Sequence, residues 1–421
     1  MNRTRSATAL AAIATLALLG TACSTKAAEE EGKAGSDGVK TGPGVTDDTI
    51  TLGALTDLTG PYATLGESIV NAQQMWADQI NDDGGICGRQ IRIEVEDHGY
   101  DVQKSVAAYA NLSPDVLAMP QVIGSPVVDA LIDDIERDQI LTFPQAWSAS
   151  LLGRDAVQVL GTTYDLDMMR AVDFLVSARG IKEGDAIGHV YFEGEYGANA
   201  VQGSKHAAGQ HGLTVVEQKI KATDTDLTAQ VTALRSEGVK AVLISAGPAQ
   251  TASLVGVAAA SGFQVPVVTS APGFAPQLLD TPAAPALESM LHIVTAIPSV
   301  SVDLPAVKKM VADYEKAYPG ALVDSGVLSG YNASVLLGES LKAACDAKDL
   351  TRAGLVEAHR SRDQVDVGLG APQNFSDASM PSATGSYVIK PAKGETGGTE
   401  PVEDAAEPQG AAAYLEAKDA G

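Results

Sequence analysis

Residues 49–97 read TITLGALTDLTGPYATLGESIVNAQQMWADQINDDGGICGRQIRIEVED, and this run constrains the fold more than any other. Ile50, Leu52 and Ala54 alternate with Thr51 and Gly53, the period of a strand, and Thr59-Gly60-Pro61-Tyr62 breaks it with turn residues. Thr64-Leu65-Gly66-Glu67 has the spacing of a capping box, and Ile69, Ala72, Trp76 and Ile80 fall on one helical face. Asp82-Asp83-Gly84-Gly85 closes that helix. Ile91, Ile93 and Val95 then alternate with Arg92 and Glu94 as a second strand. Two strands joined through a helix run parallel with a right-handed crossover, and ligands of such sheets sit beyond the strands' carboxyl ends. The 59–62 loop opens at that place.

The alternation continues down the chain. Helices are predicted over 101–111 and 126–137, and strands over 116–123, 140–143 and 157–160. A second series follows, with helices over 165–178, 196–210, 227–237 and 249–260. Its strands fall over 186–192, 213–219, 241–245 and 265–269. Strand 291–295, helix 306–317 and the apolar helix 327–344 lead to a late strand over 384–391. The pattern predicts an α/β fold of two doubly wound parallel-sheet lobes, because 421 residues exceed what one core comfortably serves. The expected division is 49–161 with 296–346 as lobe 1 and 162–295 with 347–392 as lobe 2. Residues 393–421, dense in Gly, Pro and Glu, are expected to form a disordered acidic tail.

Arg3 and Arg5 precede a mostly apolar run over 9–19, closed by Leu19-Gly20-Thr21-Ala22-Cys23. Residues 1–22 therefore read as a signal peptide. The closing residues resemble a bacterial lipobox, in which Cys23 carries lipid; plain secretion is the alternative. Residues 23–48, rich in Ala, Glu, Lys and Gly, would tether a membrane-anchored cysteine to a body outside the cytoplasmic membrane. The formal charge of −24 makes nucleic acid an unsuitable partner. Cys87 and Cys345 remain, either as a disulfide, which export favours, or as two buried thiols.

Signals for catalysis are weak. The histidines at 98, 189, 206, 211, 292 and 359 lack metal-ligand spacing, and neither a Gly-x-Ser-x-Gly elbow nor a Walker A loop occurs. Asp97-His98 is the one adjacent acid–imidazole pair, read more simply as a solvated strand end. Gly84-Gly85-Ile86-Cys87-Gly88 follows a helix where a dinucleotide loop would follow a strand. No enzyme activity, cofactor or metal is expected.

The segments ITLGALTDLTGPYATLGE, DQINDDGGICGRQI, VIGSP, LTFPQAWS, VYFEGEYGANAVQG and SGYNASVLLGESLKAA recur in this order between Ile50 and Ala344. In order and spacing they resemble the type I periplasmic binding proteins, specifically the leucine/isoleucine/valine-binding receptors of ABC transporters. The resemblance implies two lobes joined by three hinge crossings that close on a small ligand, a monomer that meets a transporter permease, and no catalytic group. A sensor reporting to a membrane partner would use the same architecture.

The resemblance also carries over site residues. In lobe 1, Ser125 becomes a ligand contact, or a plain helix cap beside Pro126. Gln145, Ala146, Trp147 and Ser148 form the second contact loop, with Trp147 as a cleft wall or as hinge packing. Tyr62 lines the cleft or covers the sheet edge. In lobe 2, Tyr196 closes over the ligand, and Glu193 and Glu195 face a cation or serve as solvated helix-dipole partners. Amino-acid receptors hold the ligand's ammonium with a carboxylate just after a lobe 2 strand, where this chain has Ser270-Ala271-Pro272. An unpaired ammonium would be costly in a closed cleft. The expected ligand is thus an amino acid held by Glu193, Glu195 or Asp165, or an organic acid, aromatic acid or amide.

Overall fold

The computed structural model describes residues 33–35 and 37–419. The expected signal peptide, the expected lipidation site Cys23 and the first part of the expected tether lie outside the described residues. Short strands β1 (Lys33–Ala34) and β2 (Lys40–Thr41) lead into β3 (Thr49–Thr56), α1 (Ala63–Asp82), β4 (Gln90–Asp97) and α2 (Val102–Leu112). Strand β5 (Ala118–Ile123), helix α3 (Ser125–Asp138) and strand β6 (Leu141–Gln145) complete a parallel sheet of order β4-β3-β5-β6. Every residue of β5 and β6 is buried, the polar Gln121, Thr142 and Gln145 included, whereas edge strand β4 exposes Arg92 and Glu96.

The chain then crosses into α4 (Tyr164–Arg179), β7 (Ala186–Phe192), α5 (Glu195–Gln210), β8 (Thr214–Ile220), α6 (Thr228–Ser236) and β9 (Ala241–Ser245). Helix α7 (Pro248–Ala260), β10 (Val267–Ser270), α8 (Ala284–Met290) and β11 (Leu291–Thr295) follow. A second crossing leads to α9 (Pro305–Ala317), α10 (Ser325–Asp346), β12 (Asp349–Leu350) and α11 (Arg352–Arg360). The third returns to β13 (Ser386–Pro391), β14 (Thr399–Ala406) and α12 (Ala411–Asp419). The second sheet has the order β14-β13-β11-β10-β9-β7-β8; its last five strands are parallel, and β13 and β14 are antiparallel additions.

The three crossings meet at Gly161. Its N–H lies 2.8 Å from Ser382 Oγ and 3.0 Å from Gln373 Oε1, and its carbonyl accepts from Ala383 N–H. A Cβ at Gly161 would lie 2.4 Å from Ala296 Cβ, and the residue has φ +82°. Only glycine fits there without strain.

Five expectations need correction. Helix α11 packs on α10, and Leu355, Val356 and Phe375 lie in the lobe 1 core, so residues 347–375 belong to lobe 1. The 393–421 segment is not a disordered tail over its described part: β14 pairs with β13, and α12 buries Ala411, Tyr414 and Leu415 in the lobe 2 core. Those three positions share a helical face, a signal masked by the surrounding Gly, Pro and Glu. Part of the tether is docked, since β2 pairs with β12, Val39 is buried, and the buried Arg89 guanidinium reaches Asp37 and the Thr46 carbonyl. Residues 157–160 form a single bridge, Thr142 with Val157, where a strand was predicted. Helix α1 also starts at Ala63 with no side-chain cap; the capping-box residues lie inside the helix. Cys87 and Cys345 are joined, 6.0 Å apart at Cα, tying the turn after α1 to the end of α10 within lobe 1.

Candidate functional site

The loops beyond the carboxyl ends of β3, β5 and β6 form the lobe 1 wall. Asp57 holds the first loop closed by accepting N–H bonds from Gly60 and Tyr62, at 2.5 and 2.9 Å. Tyr62 packs on Tyr100 with ring centroids 5.1 Å apart. Gly124 turns β5 into α3 with φ +103°, and a Cβ there would sit 2.5 Å from the Tyr100 ring. Ser125 follows, its Oγ 3.3 Å from the Tyr164 hydroxyl of lobe 2. Trp147 is fixed by donating from Nε1 to the Leu160 carbonyl at 3.0 Å and stands edge-on to Tyr164. From lobe 2, Tyr196 packs against Tyr164 with the rings tilted, 4.4 Å between centroids, and its hydroxyl lies 2.6 Å from Ser270 Oγ.

Three adjoining cavities occupy this cleft. A proximal one is walled by Tyr62, Tyr100, Ser125, Tyr164 and Tyr196, with Gln145 and Trp147. It shares Leu65, Gln145, Trp147, Tyr164 and Pro272 with a central cavity of about 700 Å³ of empty space, its opening included. The central cavity also takes Asp167, Thr295, Ser325, Ser329 and Asn332. A distal cavity adjoins it through Ala271, Thr295, Ile297 and Ser325.

Burial sets the protonation of these walls. It raises the Tyr164 hydroxyl to about 12 and pushes Tyr62, Tyr100 and Tyr196 higher still, so all four stay neutral hydroxyls that can donate. Burial likewise raises Asp167 to about 7, against the opposing hydroxyl bonds from Ser386 and Thr162 at 2.6 Å each. Among the described residues, Asp167 is the one carboxylate lining the three cavities, and no Lys, Arg or His lines them.

Five of the residues singled out from the sequence, Tyr62, Ser125, Gln145, Trp147 and Tyr196, are brought together around the proximal cavity. Three are not. Ala146 is buried in the lobe 1 core, and Glu193 is exposed and lines none of the three cavities. Ser148 lies outside the cavity walls, 3.3 Å from Glu195 Oε2 of lobe 2, which also accepts from Ser150 at 3.0 Å. Asp165 is likewise outside the cavities, accepting from Tyr414 and Lys418. Asp97 accepts from Leu58, Thr59 and Gly99, and His98 from Tyr100 N–H, so that pair serves the loops around Tyr62.

Tyr100, Tyr164, Asp167 and the α10 residues were missed by sequence reasoning. Ser325, Ser329 and Asn332 did carry a signal: they recur at i, i+4 and i+7 on one face of an apolar helix. Ser329 donates to Gln145 Oε1 at 2.8 Å, linking α10 to the contact loop.

A sequence model of the periplasmic binding protein family matches residues 49–394. The chain belongs to that family, in its type I, Leu/Ile/Val-binding group. This binding protein is 50% identical to the fatty acid ABC transporter substrate-binding protein from Thermomonospora curvata, with a TM-score of 0.89 over 91% of this chain and 98% of that one. A branched-chain amino acid ABC transporter protein from Thermus thermophilus, solved with bound valine, shares the fold at 17% identity, with a TM-score of 0.77 over 90% of this chain and 100% of that one. A curated Leu/Ile/Val-binding protein from Rhizobium johnstonii is 29% identical over 199 residues, 46% of this chain and 53% of its own length. The binding protein thus spans about half the length of the curated relatives it matches.

Proposed function

We propose that this binding protein captures an aliphatic carboxylic acid of the fatty-acid type and delivers it to an ABC transporter, without chemistry of its own. The observation that carries the reading is the cavity series itself: a hydroxyl-lined proximal end continues into mostly apolar space in which Asp167 is the one carboxylate among the described lining residues. A carboxylate can accept from Ser125 and from tyrosine hydroxyls that burial keeps protonated. Asp167, the one carboxylate nearby, is half neutral near pH 7 and so a poor match for a cation. The name of the 50%-identical Thermomonospora curvata protein supports the same ligand class.

The N-terminal run supports secretion with lipid on Cys23, which would hold the monomeric body at the outer face of the cytoplasmic membrane beside a permease. Contacts across the cleft, Ser125 with Tyr164 and Ser148 with Glu195, support a closed form that a ligand touching both lobes would favour. A thermal-shift panel on the body without its lipid tests the ligand class. A saturating ligand at a hundred times its dissociation constant adds ~2.7 kcal/mol. Submicellar dodecanoate and hexadecanoate are expected to raise Tm, and leucine, isoleucine and valine to leave it unchanged. A shift by the branched-chain amino acids alone would sink the reading.

A further inference from the structure

We infer that the distal cavity receives the methyl end of the ligand's hydrocarbon chain, and that its far wall, built by the segment after β13, sets the chain length this protein prefers. The inference rests on the fatty-acid reading and assigns a second subsite to the same cleft.

The three cavities differ in chemistry along their length. Side-chain donors gather at the proximal end, where Ser125, Gln145 and four tyrosines line the wall. At the distal end the wall is Phe274, Ile293, Ile297, Val300 and Ile389, with Pro276 and Pro298. Three of the four polar side chains there, Thr295, Ser299 and Thr399, are already bonded, and the fourth, Ser325, also lines the central cavity. Ser299 Oγ donates to the Thr399 carbonyl at 3.0 Å, and Thr295 Oγ1 accepts the Ile297 N–H at 3.2 Å. A carboxylate placed at this end would have to displace those bonds, whereas methylenes leave them intact. The orientation follows: head group at the proximal hydroxyls, chain through the central cavity, methyl end at the distal one.

The far wall belongs to a part of the chain outside the family match. That match ends at residue 394, and Gly397 and Thr399, which close the distal cavity, lie beyond it. The closing turn depends on two glycines with positive φ, +73° at Gly397 and +65° at Gly398. Their missing side chains let the turn seat against the wall: a Cβ on Gly397 would lie 2.1 Å from Val300 Cγ2, and one on Gly398 3.1 Å from Pro276 Cβ. Glu395 and Gly398 tie the turn across its base, N–H to carbonyl at 2.9 Å, and β14 then pairs with β13 to hold it down. An end stop this well fixed can measure a chain, since each methylene admitted adds ~0.8 kcal/mol, about fourfold in affinity, and each one excluded adds nothing.

The test is a chain-length series of straight-chain acids from octanoate to octadecanoate, below their micellar concentrations, read by the fluorescence of Trp147, which lines two of the cavities. Wild type is expected to gain about fourfold per methylene and then level off. Ile389→Phe, which fills the distal cavity from β13, should keep the octanoate affinity, level off at a shorter chain, and lose at least tenfold for hexadecanoate. Phe274→Ala, which enlarges the cavity from a partly exposed loop, should move the plateau to longer chains and guards against a folding defect in the first variant. Identical length profiles in wild type and both variants would overturn the distal subsite while leaving fatty-acid capture standing. Absence of any acid binding to wild type would overturn both.

Discussion

Asp167 sits in the first turn of α4, beside the first hinge crossing, with Oδ1 taking the hydroxyl protons of Thr162 and Ser386. Burial raises its carboxyl from 3.8 to about 7, so the folded protein holds a proton there that the unfolded chain has released. The contribution is therefore full below about pH 4 and is lost as pH rises through 7. Asp167→Asn keeps an acceptor for both hydroxyls and removes the ionisation. Denaturant melts across pH 4–8 are expected to show a shallower fall for this variant, with a gain on the order of 2 kcal/mol at pH 8. Part of the slope should remain, because burial also raises Asp324 to about 6. An unchanged slope would mean Asp167 is ionised throughout. At this scale the sequence was informative for the loops after β5 and β6, which bring Ser125 and Trp147 to the cavity walls, and not for Glu193 directly after β7. Asp167 and Tyr164 were not legible, since they enter the cleft from a helix start after the crossing, and nothing local marks them as facing it.

The paired cysteines act on two elements of one lobe. Cys87 lies in the turn after α1, with φ +54°, and Cys345 is the penultimate residue of α10, so the bond reinforces the α1–α10 contact without spanning the cleft. Closing 258 residues of chain is worth about 5 kcal/mol at most in the unfolded-state account, less any strain. The Cys87→Ser/Cys345→Ser double variant is expected to lose several degrees of Tm and to bind ligand with unchanged affinity; a large loss of affinity would show that lobe 1's shape depends on the bond. The alternating elements of both sheets could be read from their periods because β5, β6 and β9 are buried on both faces and are predominantly apolar, with few polar residues such as Gln121 and Thr142. Strand β14 could not: its TEPVEDAA has a half-exposed pattern, and although it pairs with β13 through a short turn, the groups that hold the hairpin on lobe 2 come from elsewhere in the chain, as in the Arg170–Glu403 ion pair.

Under the proposed capture by closure, the two lobes move about the point where three chain segments touch, at Gly161. Gly161→Ala would place a methyl 2.4 Å from Ala296 Cβ in a backbone conformation with φ +82°. A cost of about 2–4 kcal/mol is expected from strain and overpacking together, with weaker ligand binding because the crossings splay. Urea unfolding and a binding titration on the same sample check both; wild-type behaviour in each would remove Gly161 from the hinge. The lobes and crossings were legible because the motif order fixes the topology, whereas the ligand was not, since apolar cavity volume arises from β11, β13 and the turn at Gly397 meeting in space. Titration calorimetry of the lipid-free body with hexadecanoate, repeated at several temperatures and in the presence of excess leucine, measures directly whether the cleft takes a long-chain acid. Stoichiometric binding with a negative heat-capacity change that leucine does not displace is the predicted result, and binding of leucine with hexadecanoate excluded would contradict it.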